Sequence, residues 1–189
     1  MIETRPKVSI IIPVYNSAKH LRECLDSVVH QTLNDIEIIV VYDKSEDDSW
    51  DILLEYASFE SVRIIESVTK QGPGGARNIG IASASADYLG FCDSDDIVEP
   101  TMFEKMYKQA VEADADMVVV KTSRFTDNPT NPIKVSQWPD KLTKLSVAQT
   151  LDDNGRGLLM VLPLGGGGFG VDYIDEIFLK ATKFLFQQQ

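Results

Sequence analysis

The chain has 189 residues, 43% of them hydrophobic and 25% charged, the mix of a globular domain with one sizeable core. Eighteen Lys and Arg against 29 Asp and Glu leave a net charge of −11. That excludes the broad basic surface nucleic-acid binding requires, so no nucleic-acid partner is expected. It does not exclude a nucleotide whose phosphates are met through a metal. No apolar run is long enough to span a bilayer, and residues 1–7 do not open a secretory signal. Cys24 and Cys92 sit in apolar stretches, as reduced core residues would. A cytoplasmic setting is the expectation.

Residues 8–14 are a near-continuous β-branched run, a buried first strand. Pro13 closes it, since proline cannot donate to a central ladder. Tyr15-Asn16-Ser17 is the turn, with Ser17 or Asn16 as N-cap of a helix that puts Leu21, Leu25, Val28 and Val29 on one face. Residues 36–41 are a second strand, ending in Tyr42-Asp43-Lys44-Ser45 and the acidic turn Glu46-Asp47-Asp48. Asp48 or Ser49 caps the next helix, which buries Ile52, Leu53 and Tyr56, and residues 62–65 are a third strand. Gln71-Gly72-Pro73-Gly74-Gly75 reads as a flexible loop, and residues 76–84 as a short helix. No Lys-Ser/Thr follows these glycines, so they are not a P-loop, and a dinucleotide fingerprint would need another glycine at its own spacing.

Residues 88–92 are a fourth strand, apolar on both alternations and so covered on both faces. Pro100 suits the first turn of a helix, whose buried side carries Met102, Phe103, Met106, Tyr107, Ala110 and Val111. Residues 117–120 are a fifth strand. Strands and helices alternate to about residue 121, the pattern of an α/β domain with a mainly parallel sheet. Beyond it lie a loop at 127–132, a helical stretch at 145–151, a glycine run at 165–170, and helical spacing again over 175–186.

The fourth strand ends in acid: Asp93-Ser94-Asp95-Asp96. Ser94 lets the backbone turn tightly. Ligands of an open parallel sheet bind at the carboxyl ends of its strands. Carboxylates this close repel unless something positive lies among them. A hard divalent cation is the economical counter-charge, because Mg2+ is commonly held by one or two carboxylates together with substrate phosphates. A solvated acidic loop capping the helix near Pro100 is the alternative; position at a strand end favours the metal.

These strand ends carry a resemblance. Ile11-Ile12-Pro13-Val14-Tyr15-Asn16, Gln31-Thr32 after the first helix, Ala76-Arg77-Asn78-Ile79-Gly80, and Asp93-Ser94-Asp95-Asp96 followed by Glu99-Pro100 resemble, in order, the nucleotide-binding half of the family 2 glycosyltransferases. The resemblance implies a GT-A (Rossmann-like) fold, a three-layer α/β/α sandwich with a mainly parallel central sheet. It implies inverting transfer of a sugar from a nucleotide-diphosphate sugar donor to an acceptor hydroxyl, dependent on Mg2+ or Mn2+. In its terms Asp93 and Asp95 meet the ribose and the metal on the diphosphate. Pro13, Val14, Tyr15 and Asn16 line the base, Asp43 accepts from a base ring N–H, and Arg77 approaches base or phosphates. Residues 1–121 become the nucleotide-sugar-binding half, and 122–189 an acceptor-side half of the same domain, truncated or atypical. The acceptor, whether glycan, lipid-linked or protein, is not specified. The last segment packs on the domain or touches the inner membrane face peripherally, core packing being favoured.

Two departures stand out. The family's Asp-Asp-Gly-Ser is here Tyr42-Asp43-Lys44-Ser45, so a lysine replaces the glycine of a tight turn. An inverting transfer also needs a carboxylate to take the acceptor's proton. The resemblance locates it in residues 173–178, with Ile174 in place of the usual Glu, so that Asp175 is the base and Glu176 the alternative. Both acids equally suit the first turn of a helix, favoured by its dipole. The competing class is a GT-A-fold nucleotide-binding domain without transferase activity, to which Tyr42, Lys44 and the glycine run point. An aspartate-nucleophile phosphatase is weakened because that chemistry places its Asp-x-Asp on the first strand.

Overall fold

β-Branched residues dominate β1 (Val8–Val14) and β2 (Ile36–Tyr42), and both are buried almost throughout. The computed structural model describes residues 5–86, 88–112, 117–119, 123–124, 134–135 and 177–180. After β1 and β2, with α1 (Leu21–Val29) between them, come α2 (Ser49–Tyr56), β3 (Val62–Glu66), α3 (Gly72–Ser83), β4 (Tyr88–Phe91) and α4 (Met102–Glu112). Four short strands complete the description: β5 (Met117–Val119), β6 (Ser123–Arg124), β7 (Lys134–Val135) and β8 (Ile177–Lys180).

The main sheet runs β3-β2-β1-β4-β8-β5, with β6 and β7 forming a separate antiparallel pair. The β3, β2, β1 and β4 strands are mutually parallel, and β8 runs antiparallel between β4 and β5. The expected mainly parallel sheet is present. Alternation along β1 sorts the two cores. Ile10, Ile12 and Val14 pack with Leu21, Leu25, Leu53, Phe103 and Met106 from α1, α2 and α4. Ile11 packs with Ile39, Val41, Leu89 and Phe91 beneath Ala76 of α3. The result is the three-layer α/β/α arrangement, with α3 alone on its face among the described residues.

Pro13 belongs to β1 rather than closing it. The β1–β4 ladder ends where the Cys92 N–H donates to the Ile11 carbonyl (3.1 Å), and Pro13 has no N–H to carry it further. Beyond that point the chain is free to leave the sheet as the acidic turn.

Four expectations are corrected. The 71–75 loop is the start of α3: Pro73 sits in the first turn, and Gly72, at φ +70°, admits the chain to it. Neither Asn16 nor Ser17 caps α1, which begins only at Leu21; the Ser17 carbonyl instead accepts from the His20 and Leu21 N–H groups. The acid at the head of α2 is Asp47, which accepts from the Ser49 N–H (3.1 Å), while the Asp48 side chain makes no capping bond. The helical spacing of 175–186 misreads Ile177–Lys180, which is strand β8. A strand paired on both edges inside a covered sheet has no need to alternate, so its apolar run imitates a helix.

Gly90 is the close-approach glycine of β4. A methyl group there would stand 2.5 Å from Phe103 Cε1, a ring with no exposure. Gly90→Ala is expected to cost about 1–3 kcal/mol of unfolding free energy by overpacking, read from the urea midpoint. An unchanged midpoint would show that α4 does not press on β4 here.

Candidate functional site

The carboxyl ends of β1, β2 and β4 and the start of α3 meet at one edge of the sheet. At the β1 tip Tyr15 is 38% exposed. Asn16 adopts φ +48°, which its short polar side chain tolerates. It is tied to the β2 loop: its N–H donates to Ser45 Oγ (3.0 Å), and its Oδ1 accepts from the Glu46 N–H (2.8 Å). Pro13 and Val14 are buried under the site, and the Val14 carbonyl accepts from the Asp43 N–H (2.8 Å). Of the four residues expected to line the base, Tyr15 is the one that brings an exposed aromatic ring to this edge.

That face has a neighbour not anticipated from the sequence. Lys70 Nζ lies 3.8 Å from the Tyr15 ring centre and donates to its hydroxyl. This bond foremost, with the nearby charges of Glu46 and Asp43, raises the Lys70 pKa. A cation between the third strand and a glycine-rich segment was the available signal.

Asp43 stands at the β2 end as expected, but its carboxylate does not offer a free acceptor. It is 1% exposed. Its Oδ1 accepts from Ser67 Oγ (2.7 Å) and the Gln71 N–H (2.8 Å), and its Oδ2 from the Gly72 N–H (2.7 Å). Burial alone would raise this carboxyl; the hydrogen bonds, helped by the charge of Lys70, outweigh burial and hold it below the usual range. Asp43 anchors the N-terminus of α3. The residue expected to accept from a base ring N–H thus also holds the start of α3, the helix that carries Arg77.

Lys44 keeps the tight turn despite replacing glycine: it takes φ +45°, a conformation costing a non-glycine residue about 1–2 kcal/mol. Tyr42 is a packing residue, its ring 4.9 Å from Trp50 and its hydroxyl donating to the Ser45 carbonyl (3.2 Å).

At the β4 end Arg77 Nη2 donates to Asp93 Oδ1 at 2.6 Å, so two of the expected site residues are in contact. Burial nevertheless outweighs Arg77 and leaves the Asp93 pKa raised. Asp96 is pushed up to about 7, by burial first and then by the charges of Asp93 and Asp95. Asp95 has no hydrogen-bond or ion-pair partner among the described residues. No group of three or more His, Cys, Asp or Glu able to hold an ion alone occurs among the described residues. The donor set fits a hard cation that completes its shell with phosphate oxygens and water: carboxylates only, one paired to arginine, and an excess of negative charge. Asp175 and Glu176 lie outside the described residues.

The parallel sheet, with an aromatic tip on β1, an Asp-Ser-Asp turn on its neighbour β4 and an arginine on the helix leading into β4, has the arrangement of a GT-A fold. The sequence profile described as "Glycosyl transferase family 2" matches residues 9–167, and the chain belongs to that family. Glycosyltransferase GlyG of Streptococcus pneumoniae is 37% identical over 125 residues, 66% of this chain and 42% of that protein. The poly(ribitol-phosphate) beta-glucosyltransferase of Bacillus spizizenii is 44% identical over 119 residues, 61% of this chain and 19% of that protein. The chain thus spans less than half the length of these relatives. Among solved structures, S. aureus TarS in complex with UDP-GlcNAc superposes with a TM-score of 0.57 at 29% identity, covering 60% of this chain and 33% of that one. A mannosyltransferase of Pyrobaculum calidifontis, bound to GDP-Man and Mn2+, shares the fold at TM-score 0.57 and 22% identity, over 65% of this chain and 37% of that one.

Two outcomes follow for stability. Asp43→Ala leaves buried N–H groups unpaired and should cost on the order of 3 kcal/mol. Because the folded carboxyl titrates below its unfolded value, the contribution is present above about pH 4 and is lost as pH falls further. The gap between the two proteins should therefore close in acid, as read by denaturation at pH 7 and pH 3. Asp96 has the opposite sign. Its raised pKa favours the fold below about pH 4, and that advantage disappears as pH rises through about 7. With a chelator present, Asp96→Asn should raise the Tm at pH 8 and leave it nearly unchanged at pH 4. A lower Tm at pH 8 would contradict the account of crowded charge.

Proposed function

We propose that the protein transfers a sugar from a nucleotide-diphosphate sugar to an acceptor hydroxyl, with inversion and dependence on Mg2+ or Mn2+. The observation that carries this is the Asp93-Ser94-Asp95 turn at the β4 end, with Asp93 held by Arg77, Ser94 bonded to the β1 loop that carries Tyr15, and Asp95 without a partner among the described residues. The UDP-GlcNAc complex of TarS supports a nucleotide-sugar donor, and the GDP-Man and Mn2+ complex on the same fold agrees with a cation at its phosphates.

The residues divide the work. Tyr15 offers a face and a hydroxyl to the base once Lys70 moves aside or joins it. Asp43 holds the start of α3, which positions Arg77. Arg77 shares its charge between Asp93 and an arriving diphosphate, and Asp95, with Asp93, would hold the cation. When bound, the cation neutralises charge that develops on the departing nucleoside diphosphate. Asp175, with Glu176 as the alternative, would take the acceptor's proton. Residues 1–121 serve the donor and 122–189 the acceptor, a glycan, lipid-linked or protein hydroxyl. The setting is the cytoplasm.

UDP, GDP, ADP and CDP should be screened by thermal shift with and without Mn2+. One base is expected to stabilise, and only with metal. Donor hydrolysis with Mn2+ should fall by about a hundredfold in Asp95→Ala. Stabilisation without any metal-dependent turnover would instead favour a nucleotide-binding domain that has lost transfer.

A further inference from the structure

Ser94, the middle residue of the acidic turn, is 7% exposed, and its Oγ stands 2.5 Å from Ser17 Oγ in the β1–α1 loop. Either hydroxyl can donate in this bond; Ser17 Oγ also lies within hydrogen-bond reach of the Tyr15 carbonyl (3.1 Å), and when Ser17 donates there Ser94 donates to Ser17. Ser17 is held in turn: its N–H donates to Ser49 Oγ (3.0 Å), and Ser49 Oγ donates to Asp47 Oδ1 (2.6 Å). The other oxygen of Asp47 accepts from the Ala18 N–H (2.8 Å). One polar run therefore links the loops after β1, β2 and β4.

We infer that Ser17 and Ser94 are positioning residues that couple the base-binding loop to the cation-binding turn, so that nucleotide and metal strengthen each other's binding through this bridge. The inference rests on the donor-site reading above and adds residues that the family resemblance did not assign. The physical argument is geometric. Asp93 is fixed on one side by Arg77. On the other, Ser94 ties the turn to the residue whose hydroxyl also fixes the Tyr15 carbonyl. A base settling on Tyr15 orders Ser17, and an ordered Ser17 presents one position of the Asp93–Asp95 backbone to a cation. Linkage makes the effect reciprocal.

The test is calorimetric. UDP, GDP, ADP and CDP are titrated into the unaltered chain with Mn2+ and with chelator, and the ratio of the two dissociation constants for the nucleotide that binds is the coupling factor. Ser94→Ala and Ser17→Ala should each reduce that factor by about three- to tenfold, the worth of one hydrogen bond. The double variant should do no more than the larger single, because both remove the same bond. Ser17→Thr, which keeps the hydroxyl, should restore the factor. Circular dichroism and Tm establish that each variant folds. Ser17, only half-buried, keeps the test decisive if Ser94→Ala does not fold. If the substitutions weaken binding equally with and without Mn2+, the serines are merely structural and the coupling proposal is overturned while the donor site stands. If none of the four nucleotides binds the unaltered chain, the donor-site reading falls and the bridge falls with it.

Discussion

Three carboxylates within four residues at a buried strand end set the terms for the rest of the site. Two unit charges 4 Å apart near a protein surface interact by about 4 kcal/mol, so such a turn forms only with compensation. Arg77 supplies part of it through Asp93. The remainder is visible in Asp96, which burial and its two acidic neighbours push to about 7. Charge gathered this way and left partly unmet is ordinarily found where a ligand completes the balance. A cation carrying a diphosphate, as proposed, would do so with the right sign.

The scaffold serves that turn at a distance. Burial on both faces makes β1, β2 and β4 rigid, and their parallel registers bring the three carboxyl ends to one edge. Asp43 then fixes the first residues of α3 and so the origin of the helix that carries Arg77. Hydrogen bonds from Asn16 to Ser45 and Glu46 lock the neighbouring loops. Lys44 in a left-handed conformation shows that this turn is kept even where a side chain makes it costly. Lys44 thus takes the left-handed conformation that the family's glycine would adopt without cost.

Much of the fold was legible because its signals are local. The β-branched runs of β1 and β2, and the apolar run of β4 ending in acid, needed no partner to be recognised. The start of α3 was not legible. Gly72-Pro73-Gly74-Gly75 has the composition of a loop, and what makes it helical is a carboxylate 28 residues earlier that accepts from the Gln71 N–H. The same non-local bond was not legible at Asp43 either: an acid at a strand end looks alike whether it faces solvent, a ligand or a helix terminus. Strand β8 was misread because three apolar residues in a row fit either period. Lys70 was passed over and Ser94 was read only as a small turn residue; the distances to Tyr15 and Ser17 give them their further roles.

The central claim is that the end of β4 holds a divalent cation. The most direct measurement is a 1H–15N spectrum titrated with Mn2+ in the presence of a nucleoside diphosphate. The account predicts paramagnetic broadening that begins at the amides of Asp93, Ser94, Asp95 and Asp96 and reaches Ser17 and Tyr15 next. Broadening centred on the other acidic turn, Glu46-Asp47-Asp48, or spread evenly over the acidic surface, would contradict it.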